Sequence, residues 1–347
     1  MFALRGRPRH RRRFVSSAGV LLLVVVAAGC SADTSSDDPS TIEVTTTNIA
    51  GAAVLGIERD TTDACPAPST PDSDQPGVVG GAAGPVEVPA DPGRILVLDT
   101  TSLDAMCALG IWERVVGLPD GVARPEYLGT GISDIPTMGP LDGLDLGRIA
   151  EVRPDVIIGS GAIDEALYRE LSAIAPTAVV RVEGSWQAGF LELGAATGRR
   201  DASLAALDRY RADALDAGNR VIARNTLASV VEFAPDSARL LGTDSFAGGV
   251  LADIGVRRPS IAPTDTVDVD TVDPRVVDAD LIWIIFDGDA GKTFGESVMR
   301  STPWLDLGAV SDNRTFAVDP QVWTGYGPTA ARAIVADVVG SIDIYAS

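Results

Sequence analysis

The chain has 347 residues, with 48 Asp or Glu against 28 Lys or Arg, a formal charge of −20 and 46% hydrophobic residues. So acidic a surface repels nucleic acid, and no basic stripe offsets it, while the apolar content is that of a globular protein with a sizeable core. The only histidine is His10 and the only lysine is Lys292.

Residues 1 to 13 carry six arginines and no acid, and lead into an apolar stretch, Val20 to Ala28, that closes on Ala27-Ala28-Gly29-Cys30. This is the n-region, h-region and small-residue cleavage site of a secretory signal; the apolar run is about half of the ~20 residues that a spanning helix needs. A cysteine after a small-residue pair is the lipobox arrangement, in which the Cys30 thiol takes a diacylglycerol, with Ala27 where leucine is usual. The alternative is an ordinary cleaved signal with an incidental cysteine. Arg11-Arg12-Arg13-Phe14-Val15 is similar to a twin-arginine export signal, leaving that route open beside the general one. Loss of residues 1–29 removes six arginines and no acid, taking the formal charge from −20 to −26 and removing the one histidine. What remains cannot build a Ser-His-Asp triad, a Cys-His pair or a histidine zinc site.

With Cys30 acylated, Cys65 and Cys107 are the two cysteines left, and an exported chain meets an oxidising environment. A Cys65–Cys107 disulfide is expected; the alternative is two reduced cysteines, with Cys107 buried in an apolar helix.

Residues 30–92 are dense in Ser, Thr, Pro, Gly and Asp without a sustained period, which reads as a flexible, lipid-anchored stalk. Within it Ile49 to Ile57 is apolar enough to dock on the domain. From Arg94 short apolar runs alternate with helical patterns: strands at 94–98, 115–118, 156–158 and 178–182, helices at 103–109, 146–151 and 164–174. This alternation predicts an α/β N-lobe over 93–184 with a parallel sheet covered on both faces. Two linking helices follow, 186–196 and 201 to about 224, within 185–226; the second is on the order of 35 Å long, enough to cross between lobes. A C-lobe over 227–347 resumes the alternation at 228–233, 248–254, 281–286, 304–307 and 315–318, and closes with a helix from Pro328 to about Ile342.

No Walker loop and no Gly-x-Gly-x-x-Gly turn follows a strand, so nucleotide binding has no support. With one lysine, Schiff-base chemistry has little room. No nucleophile and base pair points to an enzyme.

The segments Ile135-Pro-Thr-Met-Gly139 and Leu144-Asp-Leu-Gly-Arg-Ile-Ala-Glu-Val-Arg-Pro-Asp-Val-Ile-Ile158 resemble the N-lobe signature of the periplasmic binding proteins for iron siderophores and cobalamin. Ala247 to Gly255, Thr302 to Val310, Arg314 to Val318 and Gly327 to Ala331 look like the C-lobe of the same family, and the likeness spans about residues 94–347. Leu103 to Gly110, Ile49 to Gly56 and Cys65 are similar to the actinobacterial ferric-citrate-binding-type lipoproteins.

The resemblance implies two Rossmann-like α/β lobes joined by one long rigid helix, the class III solute-binding architecture, with a largely pre-formed interlobe cleft. It implies a monomer held at the outer face of the membrane that binds a ferric siderophore for an ABC transporter, without a resident cofactor or metal. Haem is a second candidate ligand; lacking histidine, it would need tyrosine, Tyr127 or Tyr326, as axial partner. A third reading is an envelope scaffold that kept the fold and lost its permease.

In such folds the ligand lies beyond the carboxyl ends of the strands, which selects Thr100, Arg124, Tyr127, Ser160 and Trp186 in the N-lobe and Thr243, Trp323 and Tyr326 in the C-lobe. Trp and Arg would supply stacking area and charge-assisted hydrogen bonds to carboxylate or hydroxamate oxygens. Phe286 reads as core, and Asp99 as the cap of the helix that begins near Ser102. The acidic chain disfavours a strongly anionic ligand such as ferric citrate unless local arginines reverse the field, and a neutral or lipophilic hydroxamate complex suits an aromatic cleft better. The family commonly carries a glutamate after the Asn/Asp-Leu pair, where it meets arginines of the permease; Gly147 stands there, with Asp145 and Glu151 nearby, so docking to a standard permease is in doubt.

Overall fold

The computed structural model describes residues 48–57, 59–81, 84–180, 185–260 and 264–346; the predicted export segment 1–29 and Cys30 lie outside them, as does the end of the strand expected at 178–182. In chain order the strands are β1 (Asn48–Ile49), β2 (Ala52–Val54), β3 (Gly77–Gly81), β4 (Gly84–Val88), β5 (Ile95–Val97), β6 (Val115–Asp120), β7 (Thr137–Pro140), β8 (Val156–Ser160), β9 (Thr177–Val180), β10 (Ala228–Ala234), β11 (Ser237–Leu240), β12 (Val267–Asp268), β13 (Leu281–Phe286) and β14 (Thr315–Ala317). The α-helices are α1 (Thr100–Ala108), α2 (Leu146–Glu151), α3 (Glu165–Ser172), α4 (Trp186–Ala196), α5 (Arg200–Arg220), α6 (Phe246–Ile254), α7 (Gly288–Met299), α8 (Thr302–Leu305), α9 (Gly308–Ser311), α10 (Pro320–Trp323) and α11 (Pro328–Ala346).

β5 to β9 form one all-parallel sheet in the order β7-β6-β5-β8-β9. Order reverses on either side of β5, the doubly wound arrangement whose switch point opens at the strands' carboxyl ends. Those strands read as continuous apolar runs because both faces are covered: Ile95, Leu96 and Val97 are buried, as are Val156, Ile157 and Ile158. Polar caps set the helix starts: Asp99, Asp145 and Asp164 accept from backbone N–H groups of Ser102, Arg148 and Leu167.

The second sheet runs β1-β2-β14-β13-β10-β11-β12, parallel from β2 to β10 and antiparallel at both edges. Its centre is β13, Leu-Ile-Trp-Ile-Ile-Phe, buried at every position. Ser245 caps α6, and Gly255 ends it in the left-handed conformation at φ 91°. α5, 21 residues long, packs against α4, α6 and α11 and carries the chain from the first lobe to the second.

The chain crosses between the lobes a second time. Residues 48–54 lie at the edge of the C-lobe sheet, where β2 runs parallel to β14, and the chain then passes to the N-lobe before β5 begins. The segment 48–92, whose composition suggests a stalk, contributes four strands in all, with Ala52, Val79 and Val88 buried. Composition averages over the few apolar residues that a sheet edge can cover, which is why no period marked them. Cys65 is bonded to Cys107 of α1. Ser69 N–H donates to the Leu109 carbonyl at 3.0 Å, and the Nε of the fully buried Arg199 donates to the Ser69 carbonyl at 3.3 Å. This strap runs so close to the end of α1 that a Cβ on Gly110, at φ 72°, would stand 2.3 Å from the Ala67 carbonyl oxygen.

The lobes are also joined directly. Asp104 of α1, fully buried, accepts from the backbone N–H groups of Thr329 (2.9 Å) and Ala330 (3.0 Å) in the first turn of α11. The carboxylate of one lobe thus satisfies orphan donors at the start of the other lobe's closing helix. Gly327 is required there, since a Cβ would fall 2.2 Å from the Asp104 carboxyl carbon. Replacing Cys65 and Cys107 together by serine should lower stability by about 3 to 4 kcal/mol, the loop-closure entropy of the 42-residue separation; urea unfolding of oxidised and double-mutant protein checks this.

Candidate functional site

The loop after β6 turns at Gly121 and brings Arg124 and Tyr127 to the boundary between the lobes. They line a cavity of about 450 Å³ together with Gly56, Ile57, Arg59 and Thr61 of the strap, Glu126, Gly129, Thr130 and Ser133 of the same loop, and Asp319 from beyond β14. The volume lies within the ~300–1,000 Å³ of small-molecule sites. The wall therefore has three parts: an N-lobe loop, the end of a C-lobe strand, and the strap that precedes both.

Three of the charged groups, Arg124, Arg59 and Asp319, are held by hydrogen bonds. Arg124 Nη2 donates to the Ile135 carbonyl at 3.0 Å, leaving its buried Nε without a hydrogen-bond partner. Arg59 Nη2 is bidentate on Asp337 of α11, at 2.8 and 3.0 Å, and its Nη1 donates to the Ala333 carbonyl at 3.2 Å. Asp319 caps α10 by accepting from Gln321 N–H at 2.9 Å. Burial, followed by the negative charge of Asp104, holds the Tyr127 phenol well above its ordinary pKa. Burial likewise raises the carboxyl of Asp104 against the hydrogen bonds that favour its charged form.

The eight residues expected at the cleft are distributed as follows. Arg124 and Tyr127 share the cavity. Thr100 donates its hydroxyl to the Ala123 carbonyl at 3.2 Å, tying the first turn of α1 to the loop that bears Arg124. Ser160 Oγ donates to Asp99 at 2.9 Å, as does its backbone N–H, so Asp99 joins the ends of β5 and β8 as well as capping α1. Burial, opposed by these bonds from Ser160 and Ser102, raises the Asp99 pKa.

Trp186 is buried, edge-on to Tyr210 (centroids 5.1 Å apart) and to Phe246 (5.9 Å). Tyr326, 41% exposed, stacks on Phe246 at 5.4 Å and 23°. Phe246 thus links an N-lobe and a C-lobe candidate. Tyr326 has φ 54°, a left-handed conformation that is costly for a bulky residue. Thr243 is half-buried in the loop before α6.

Trp323 corrects the expectation. It is 1% exposed, packs 5.4 Å from Trp283, and donates its indole N–H to Asp337 at 2.9 Å. The Gly-rich stretch after it suggested an open loop, but Trp323 closes the short helix α10 and faces the core instead of a ligand. Phe286 is buried, as the sequence indicated.

Sequence reasoning did not bring Gly56, Ile57, Arg59 and Thr61 to the site, because they precede the N-lobe by some thirty residues and carry no strand-end signal. Arg258, after α6, also escaped notice: its three guanidinium nitrogens are buried without a hydrogen-bond partner, and burial, opposed by the nearby Asp244, lowers its pKa to about 10. Gly147 lies exposed on α2, beside Asp145, with Glu151 exposed on the same helix.

Two α/β lobes with a pocket between them, fed by strand-end loops, define a two-lobed solute-binding protein. The chain belongs to the periplasmic binding protein family, whose model matches residues 95–322; the family is a class of substrate-binding proteins rather than enzymes. Among curated proteins it is 28% identical over 268 residues to the probable siderophore-binding lipoprotein YfiY of Bacillus subtilis, covering 72% of this chain and 82% of that one. Among solved structures it is similar to Staphylococcus aureus SirA complexed with staphyloferrin B, at TM-score 0.63 and 23% identity over 77% of this chain and 98% of that one. Unliganded FhuD2 from Staphylococcus aureus aligns at TM-score 0.67 and 17% identity, over 79% of this chain and all of that one. The solved structures share the fold of this chain, and the matched family region begins after the strap.

Trp323→Ala should destabilise the protein by about 3 to 5 kcal/mol, the cost of emptying a large aromatic from a core, with a lost indole hydrogen bond included. Chemical denaturation checks this, and a near-neutral result would return Trp323 to the surface.

Proposed function

We propose that the protein is an extracytoplasmic lipoprotein, anchored through Cys30, that binds a ferric siderophore in the interlobe pocket for uptake by an ABC transporter. One observation carries the reading: the 450 Å³ pocket is built jointly by both lobes and presents a half-buried arginine, Arg124, whose buried Nε has no hydrogen-bond partner among the described residues. A buried cationic donor of this kind is satisfied by a ligand oxygen, and hydrogen bonds to charged groups are worth about 1.5–3 kcal/mol. Thr61, Thr130 and Ser133 add hydroxyls around it, which suits the many oxygen atoms of a hydroxamate or carboxylate iron chelate. The siderophore-binding relative and the staphyloferrin-bound fold neighbour support the same class of ligand.

Haem has less support. A tyrosinate axial ligand needs an easily ionised phenol, whereas the Tyr127 phenol is driven upward by burial and by Asp104. The envelope-scaffold reading is favoured by one feature, the exposed Gly147 where a permease-docking glutamate is usual.

The full-length protein should show saturable quenching of tryptophan fluorescence with ferric trihydroxamates. Arg124→Ala should weaken that binding by about ten- to a hundredfold, the equivalent of the range above. No quenching by hydroxamate, carboxylate or catecholate complexes would sink the transport reading and favour the scaffold. For the anchor, Cys30→Ser should move the protein from the membrane fraction to the soluble fraction of fractionated cells, whereas unchanged membrane association would refute lipidation at this residue.

A further inference from the structure

The interlobe pocket does not end at the strap. A second cavity, of about 460 Å³, adjoins it and shares Gly56, Ile57, Glu126 and Asp319 as common wall. The two compartments differ in chemistry. The first contains Arg59, Arg124 and four hydroxyl side chains, those of Thr61, Tyr127, Thr130 and Ser133. The second is lined by Val54, Leu55, Ile57, Phe286, Val318 and Pro320, among others, with Asp289 and Lys292 as exposed charged groups.

We propose that the N-terminal strap builds an apolar subsite for an aliphatic arm of the ligand, with Ile57 as its specificity-determining residue. This rests on the siderophore reading above and deepens it: the iron-bearing, oxygen-rich head occupies the first compartment, and a hydrocarbon chain extends into the second.

Three observations carry the assignment. Ile57 is 58% exposed, a large apolar side chain left in solvent at the junction of both compartments. It stands between two anchored residues. β2 pairs with β14, Leu55 N–H donates to the Ala317 carbonyl at 2.9 Å, and Arg59 is anchored on Asp337. Between these anchors Gly56 adopts φ 78°, and a Cβ there would fall 2.6 Å from Arg59 Nη2; the turn that presents Ile57 depends on glycine.

The chemistry of the lining selects the occupant. In the second compartment an oxygen-rich chelate would meet a mostly apolar wall and three carboxylates, Glu126, Asp289 and Asp319, that only accept hydrogen bonds, with Lys292 as the cationic donor. An aliphatic chain needs no hydrogen bond, and each methylene it buries strengthens binding by about fourfold at full burial. The two cavities adjoin across Gly56, Ile57, Glu126 and Asp319, which puts an arm in the second within reach of a head in the first.

The test uses the full-length protein and two ferric complexes of one linear trihydroxamate, acylated at its terminal amine with either an acetyl or a decanoyl group. Tryptophan quenching gives the affinity of each. The wild-type protein should bind the decanoyl complex at least tenfold more tightly than the acetyl one. In Ile57→Asp that ratio should fall below threefold, whatever the absolute affinity for the acetyl complex, and Ile57→Ala should give an intermediate ratio. Equal affinities for the two complexes in the wild type, or an undiminished ratio in Ile57→Asp, would overturn the subsite while leaving the siderophore reading intact. Failure of the wild type to bind either complex would overturn the subsite as well, and would overturn the siderophore reading only if carboxylate and catecholate complexes also give no quenching.

Discussion

The geometry of the whole molecule depends on how its two lobes are held, and the central contact is the Asp104 carboxylate at the start of α11. A charge buried without partners would be expelled or neutralised. Here burial raises the pKa of the carboxyl, and two backbone N–H groups at 2.9 and 3.0 Å that would otherwise be orphans of a helix terminus oppose that shift. Each half of the contact needs the other, so separating the lobes would expose two unmet requirements together. Tyr127 packs beside the same carboxylate, which places one wall of the interlobe pocket directly against the contact that joins the lobes.

The strap adds a second set of fastenings around that centre. It is part of the C-lobe sheet at β2, is bonded to α11 through Arg59, and is covalently attached to α1 through Cys65. A two-lobed binding protein with one crossing helix has limited hinge motion; with a second crossing and a disulfide the relative position of the lobes is fixed further. Selectivity then comes from the shape and chemistry of a formed pocket instead of from closure around the ligand. The strap is also a wall of that pocket, so the residues that restrain the lobes are next to those that line it.

Several local features were legible without a structure. Asp99 as a cap and Phe286 as core follow from short-range chemistry, a carboxylate before a helical pattern and an aromatic at the end of an apolar run; the Cys65–Cys107 pairing followed from setting Cys30 aside as the expected lipid site, which leaves two cysteines. Trp323 and Tyr326 stand three residues apart in the same Gly-rich stretch and were read alike, yet one is in the core and the other is 41% exposed. No local pattern separates them, because the difference arises from Asp337, fourteen residues further on, whose carboxylate accepts the Trp323 indole N–H.

The sequence by itself determined the alternation of strands and helices, and with it two α/β lobes, since a period of apolar residues follows directly from backbone geometry. It also determined the resemblance that gave the family, and the glycine at position 147. The tertiary structure decided what composition had blurred: that residues 48–57 complete the C-lobe sheet, that Arg59 and Asp337 meet, and that Ile57 stands at the junction of two cavities. Those partners are separated by more than two hundred residues of chain. Contacts at that range leave no periodic trace in either partner, because each segment is shaped to a surface that exists only once the rest of the chain has folded.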